Sequence, residues 1–211
     1  MAQSKLWTAA PEWAVYAVGL VPAADLFVRA FSNALGADPL RILENGLGEW
    51  ALRFLILGLA VTPLMRLARI NLVKYRRALG LVAFIYVVLH LGVYLVLDKQ
   101  FFWGEIGADI VKRPYITIGM AAFVLLVPLA VTSNRLSIRK MGAAGWRKLH
   151  RLVYPAVLFG AVHYLLLVKA WPPEPIIYLV IVVGLLALRF VKPARRARGG
   201  SPGLAREAVR Q

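Results

Sequence analysis

Residues 81–97 read LVAFIYVVLHLGVYLVL, seventeen positions without a formal charge and with one histidine, His90, among aliphatic and aromatic neighbours. Extended back to Arg77, the run is long enough at about 1.5 Å per residue to cross a hydrocarbon core of about 30 Å. It shows no period-2 alternation, so its backbone is satisfied as a helix and not as a barrel strand. Apolar windows of the same kind recur at about 13–31, 48–68, 114–133, 148–169 and 175–192. Together with 77–97 they predict an all-α fold, a polytopic membrane bundle of about six transmembrane helices. An apolar content of 60% and a mean hydropathy of +0.68 belong to such a bundle and not to a water-soluble domain of this size.

A net charge of +16 raises the question of nucleic acid, but the basic residues fall between and after the apolar runs, where they act as topology signals and not as a groove-binding patch. The N-terminal tail, the connections 66–77 and 134–151 and the tail from Arg189 hold 19 of the 26 basic residues. The opposite loops hold the other seven, several balanced by Asp38, Glu44, Asp98, Glu105 and Asp109. By the positive-inside rule both termini are expected in the cytoplasm of a bacterial inner membrane. Residues 1–192 are thus expected as the transmembrane domain, and 193–211, rich in Arg, Gly and Pro, as a disordered tail that meets anionic membrane lipids or an acidic cytosolic partner. The first apolar run is interrupted by Pro22 and Asp25 and is expected to stay as a mature helix, not to be cleaved as a signal peptide.

There are no cysteines, which excludes disulfides, thiolate metal sites, iron–sulfur clusters and thiol catalysis together. Asp25 with Arg29, and Glu49 with Arg53, stand four residues apart and are expected to neutralise each other. Pro22, Pro63, Pro128 and Pro155 fall inside four spans, where each removes a hydrogen bond and shapes the helix.

Three histidines remain as the chemistry-bearing residues: His90, His150 and His163. His90 in the third span and His163 in the fifth are predicted at similar depth toward the periplasmic side, and neutral imidazoles from two facing helices are the axial ligands that a haem iron needs. His150 begins the fifth span at the cytoplasmic edge, in GWRKLHRLVY. A second haem there would pair His150 with a residue about fourteen before His90, a position held by Arg76 with Arg77 beside it. Fourteen residues fall about 40° short of four helical turns, so Arg76 and His90 share a face; thirteen residues rotate about 220° past three turns, so His150 and His163 do not align on a straight helix. Arginine stays protonated and ligates iron poorly, so Arg76 and Arg77 are read as partners of a propionate or another anion. The bland readings stand beside these: membrane histidines also bond between helices or relay protons, and His150, next to Arg147, Lys148 and Arg151, also fits a solvated interface. Tyr86, Tyr94, Tyr154 and Tyr164 either line a cofactor pocket or pack as aromatics.

The two histidine-bearing spans resemble the ferric-reductase-like transmembrane domain superfamily, which passes electrons across membranes through b-type haems. LGADP (35–39), RFLILGLAVTPL (53–64), RRALGL (76–81), RPYITIGM (113–120), LAVTS (129–133) and WRKLHRLVY (146–154) are similar to segments of its MsrQ, or YedZ, family over about residues 13–192. That resemblance implies a haem-binding membrane subunit delivering electrons to MsrP, a periplasmic molybdopterin-containing methionine sulfoxide reductase that repairs oxidised proteins. It implies a quinone-pool or cytosolic flavin-reductase donor, an association with FMN, and haem-linked roles for His90, His150 and His163. Where the superfamily has a fourth histidine this chain has arginine, at Arg76 or Arg77.

The expected function is therefore a haem b conduit with one or two haems, an electron-transfer subunit and not the substrate-reducing one. Short loops leave no room for a nucleotide-binding domain, so the donor must be external. A transporter or proton relay built on the same histidines is the alternative; it calls for polar or broken helices meeting at the midplane.

Overall fold

The computed structural model describes residues 11–168 and 172–190; the expected tail at 193–211 lies outside them. Among the described residues eight α-helices follow one another: α1 Glu12–Phe31, α2 Pro39–Leu67, α3 Arg76–Gly92, α4 Trp103–Lys112, α5 Pro114–Val131, α6 Arg135–Leu149, α7 Val153–Leu167 and α8 Pro173–Phe190. There is no strand among the described residues. Among the described residues five helical stretches are long and apolar enough to cross a membrane: α1, α2, α3 continued to Asp98, α5, and α6 running into α7. The 18-residue α8 coincides with the sixth expected span and packs on α7 and α2. The chain is a multi-pass membrane protein.

Local chemistry sets the helix starts. Asp38 caps α2 by accepting from the Arg41 N–H at 3.2 Å, and Pro39 follows at the first helical position, where its missing N–H costs nothing. Asn134 caps α6 through the Ser137 N–H at 2.8 Å. Two stretches expected as loops are helical. One is α4, which buries Ile106. The other is α6, broken at Gly142, whose φ of 70° suits glycine. Both are too short or too polar for a hydropathy window to find.

α2 is the central helix, packed against α1, α3, α7 and α8. Leu47, Val61, Val82, Tyr86 and Val157 have essentially no exposure. Outward-facing positions are apolar as well, for example Trp13 (69% exposed), Val124 (62%) and Val180 (64%), which is the surface lipid requires. Apolar burial gives little net drive between helices in lipid, so close packing and interhelical hydrogen bonds hold the bundle. Tyr86 supplies one such bond: its hydroxyl accepts from the Ala23 N–H at 2.9 Å and donates to the Gly19 carbonyl at 2.8 Å. An uninterrupted helix would pair those two groups with each other, and Pro22 lies between them.

The bundle has two ends. The connections 68–75 and 132–152 form the basic end, and 32–38 and 99–113 form the opposite end.

Candidate functional site

His90 and His163 come together as the sequence predicts, on α3 and α7, with ring centres 6.2 Å apart and planes at 78°. Each ring is held through Nδ1 by a backbone carbonyl. His90 donates to Glu44 O on α2 (2.9 Å) and His163 to Tyr115 O on α5 (2.6 Å). A carbonyl only accepts, so this places the proton on Nδ1 and leaves Nε2 as the lone-pair nitrogen of a neutral imidazole. A metal-ligating histidine is oriented in this way. Two imidazoles bound to one metal from opposite sides, with metal–nitrogen bonds of about 2 Å and about 1 Å more to each ring centre, stand roughly 6 Å apart.

Both rings line a cavity of about 430 Å³ between α2, α3, α5 and α7. Its walls are apolar, from Leu52, Leu55, Val87, Phe123 and Leu126. Six lining positions are glycine or alanine, paired one turn apart on three helices: Gly48 and Ala51, Gly119 and Ala122, Ala156 and Gly160. They let a flat group lie against the backbone. Two of them also seat the ligands: a Cβ on Gly119 would stand 2.7 Å from His163 Nδ1, and one on Gly48 would stand 3.2 Å from His90 Nδ1. Sequence reasoning did not single out these glycines. The signal was present as small residues at i, i+3 or i+4, but in membrane helices that spacing usually marks helix packing.

The α3 helix ends beside His90 in a π-helical turn, Val93–Asp98, which turns Tyr94 and Asp98 onto the cavity rim. Lys99 bridges Asp98 (3.5 Å) and Asp109 (3.0 Å), and Asp109 also pairs with Arg113 at 3.2 Å and accepts from the Tyr94 hydroxyl at 3.3 Å. The hydrogen bond that Lys99 donates to Asp109 pushes the ammonium up from its ordinary range. Burial pushes Asp109 upward, but the Lys99 hydrogen bond and the charges of Lys99 and Arg113 outweigh it and hold the carboxyl below the ordinary range. The expected pairs form too: Arg29 lies 3.8 Å from Asp25, and Arg53 lies 3.1 Å from Glu49 and 3.4 Å from Glu174. Tyr164 donates to Glu49 at 3.0 Å, so Tyr94 and Tyr164 do line the cavity, whereas Tyr86 is the buried bridge to α1.

His150 lies at the basic end, away from the pair. Its ring stacks on Trp146 at 3.8 Å, with Nδ1 3.2 Å from Trp146 O, and Trp146 is itself anchored to Thr132 O at 2.9 Å. Its Nε2 is buried and has no hydrogen-bond partner. The Leu129 carbonyl comes near the ring, but its hydrogen bond is to Ser133 Oγ, at 2.7 Å. Residues His150–Leu152 are wound as a 3-10 turn at about 120° per residue, which rotates His150 about 60° toward the face of His163 and narrows the misfit of the straight-helix reading. Arg76 lies within electrostatic reach of His150, as the shared face with His90 predicts; Arg77 is about 100° further round α3, and both arginines are exposed.

Arg189 was missed as a site residue. At the end of α8 it turns into the bundle, donating to Tyr154 Oη (2.8 Å) and to the Leu59 carbonyl (2.9 Å), with its guanidinium over the Tyr154 ring at 4.8 Å. The Leu59 carbonyl is available because residue 63, which would bond to it along α2, is a proline.

Comparison with known proteins agrees with this geometry. The family described as ferric reductase like transmembrane component matches residues 47–161, which contain His90 and His150 and end two residues before His163. The protein-methionine-sulfoxide reductase heme-binding subunit MsrQ of Brucella anthropi is 53% identical over 186 residues, covering 88% of this chain and 84% of the relative. The subunits of the same name from Brucella ovis and Brucella canis are each 52% identical over the same coverage. With more than half of its length inside the family's domain and relatives this similar along nearly their whole length, the chain belongs to the ferric reductase like transmembrane family and, within it, to the MsrQ subunits.

Proposed function

We propose that this chain is a haem b electron conduit of a bacterial inner membrane. It takes electrons at the basic, cytoplasmic end from quinol or a cytosolic flavin reductase, and it passes them to a periplasmic molybdopterin methionine sulfoxide reductase of the MsrP kind. The observation that carries the reading is the His90–His163 pair, with both rings set by backbone carbonyls and both lining one apolar cavity. The residues fit the group: two imidazoles with ring centres at the right separation, and small-residue walls that admit a planar macrocycle. When bound, haem supplies a one-electron carrier; the protein orients the ligands, keeps the ring in a low-dielectric setting and closes the rim with charged residues. His150, with Nε2 buried and unpaired, is in the same reading the ligand of a second haem at the basic end, with Arg76 and Arg77 toward its anionic edge.

The names of the Brucella relatives support haem and a methionine sulfoxide reductase system. The charge asymmetry of the loops supports the direction, with the histidine pair toward the periplasm. The test is an optical redox titration of the purified full chain with haem quantification. A Soret band that shifts on reduction, with bound haem in stoichiometric amount, is the expected result. Colourless protein from haem-sufficient cells would overturn it.

A further inference from the structure

A basic side chain near a helix end ordinarily snorkels outward to the membrane surface. Arg189 does the reverse. Two of its donors are used inside the bundle, by Tyr154 and Leu59, and its Nε is fully enclosed without a partner. Arg76 and Arg66 are both within its electrostatic reach, and no carboxylate among the described residues pairs with any of the three. This contrasts with Arg29, Arg53 and Arg113, each paired with an acid. Arg66 and Arg76 reach the surface while Arg189 is half-buried with an enclosed, unpaired N–H, and this cluster of like charge around an unanswered donor leaves a site short of one oxyanion. The second unpaired nitrogen of the region, His150 Nε2, is one helical turn from Tyr154, the residue that holds Arg189. A single ligand carrying both a metal and a carboxylate would answer both.

We propose that Arg189, with Arg76, clamps a propionate carboxylate of a haem ligated by His150, and that the Pro63-freed carbonyl of Leu59 and the ring of Tyr154 fix Arg189 in the pose that does so. The proposal rests on the reading of His150 as a haem ligand. The guanidinium fork has donors left after its two internal bonds, which is what bidentate recognition of a carboxylate needs.

The full chain is purified in nanodiscs as wild type, His150→Ala, Arg189→Gln and Arg189→Lys, and read for haem per chain and for the components of a potentiometric titration. His150→Ala is expected to remove one haem and one component. Arg189→Gln is expected to weaken retention of that same haem by about tenfold or more and to move its component to lower potential, since a positive charge that favours the reduced ring is gone. The component surviving in His150→Ala should not move, and Arg189→Lys should restore part of the shift. Should Arg189→Gln not fold, haem dimethyl ester loaded into the wild type and Arg189→Lys chains decides. Esterification is expected to weaken the His150-dependent component more in wild type than in Arg189→Lys. Equal weakening overturns the clamp.

If His150→Ala loses no haem, the ligand reading fails and the clamp with it. If His150→Ala loses haem but Arg189→Gln changes neither retention nor potential, the ligand reading stands and the clamp is overturned. Loss in Arg189→Gln only of stabilisation by phosphatidylglycerol over phosphatidylcholine would assign the site to a lipid phosphate and also overturn it.

Discussion

The two ends of this bundle treat histidine alike and charge oppositely. At both, an imidazole has Nδ1 set toward a backbone carbonyl: Glu44 and Tyr115 for the pair, Trp146 for His150. At the pair's end Arg53, Lys99 and Arg113 each pair with a carboxylate within the chain, so these charges close on one another beside a largely apolar cavity. At the basic end Arg66, Arg76 and Arg189 pair with no carboxylate among the described residues, and enclosed nitrogens of His150 and Arg189 are left over. In the proposed reading one end would hold a group through its metal and its flat faces, and the other would also hold the group's acidic edge.

The strongest way to break that comparison is to remove ligands. His90→Ala and His163→Ala should each abolish the haem of the pair while leaving the component that depends on His150; loss of both haems in either variant would show that the ends are not independent sites. Gly119→Ala comes next. Its methyl would meet His163 Nδ1 at 2.7 Å, so the ring must leave its carbonyl, and haem retention at the pair should fall about 10- to 100-fold, with a shifted potential. Unchanged retention would mean that α5 simply moves aside. A smaller effect is expected for Tyr86→Phe, which removes the bridge between α3 and α1 without touching either end. Stability should drop by about 1 kcal/mol, in the range measured for interhelical hydrogen bonds in membranes, with both haem components unchanged.

The smallest effect is acid sensitivity. Asp109 is held below the ordinary carboxylate range, so its stabilisation is present above a pH of about 4 and is lost as pH falls through its lowered native value. Asp109→Asn should cost about 1 kcal/mol or less at neutral pH and should flatten the acid limb of thermal stability. An acid limb that survives the substitution would place the sensitivity elsewhere.

The spans and the matched depth of His90 and His163 are legible in the sequence because a membrane imposes length and apolarity on each segment separately. What needs two segments at once is not. Gly48 and Gly119 look like ordinary packing glycines until α2 and α5 are set against the histidines of other helices. Arg189 reads as a topology charge, since its inward pose depends on a proline 126 positions earlier that frees the Leu59 carbonyl. Tyr86 falls within the apolar run of His90 and is readable as a pocket aromatic; only the unpaired backbone groups around Pro22 in α1 give its hydroxyl other work. The helices α4 and α6 were legible as connections but not as helices, because neither carries an apolar face long enough to register.

The Tyr86 bridge bears on the order in which the protein is made. α1 leaves the ribosome before α3, with its Pro22 region short of a regular partner, and the residue that completes it is encoded more than sixty positions later. Until α3 has entered the bilayer, the first helix therefore has no settled seat. A chain halted before residue 76 should show the membrane's quality-control proteases an unfinished segment, whereas one that extends past α3 should not.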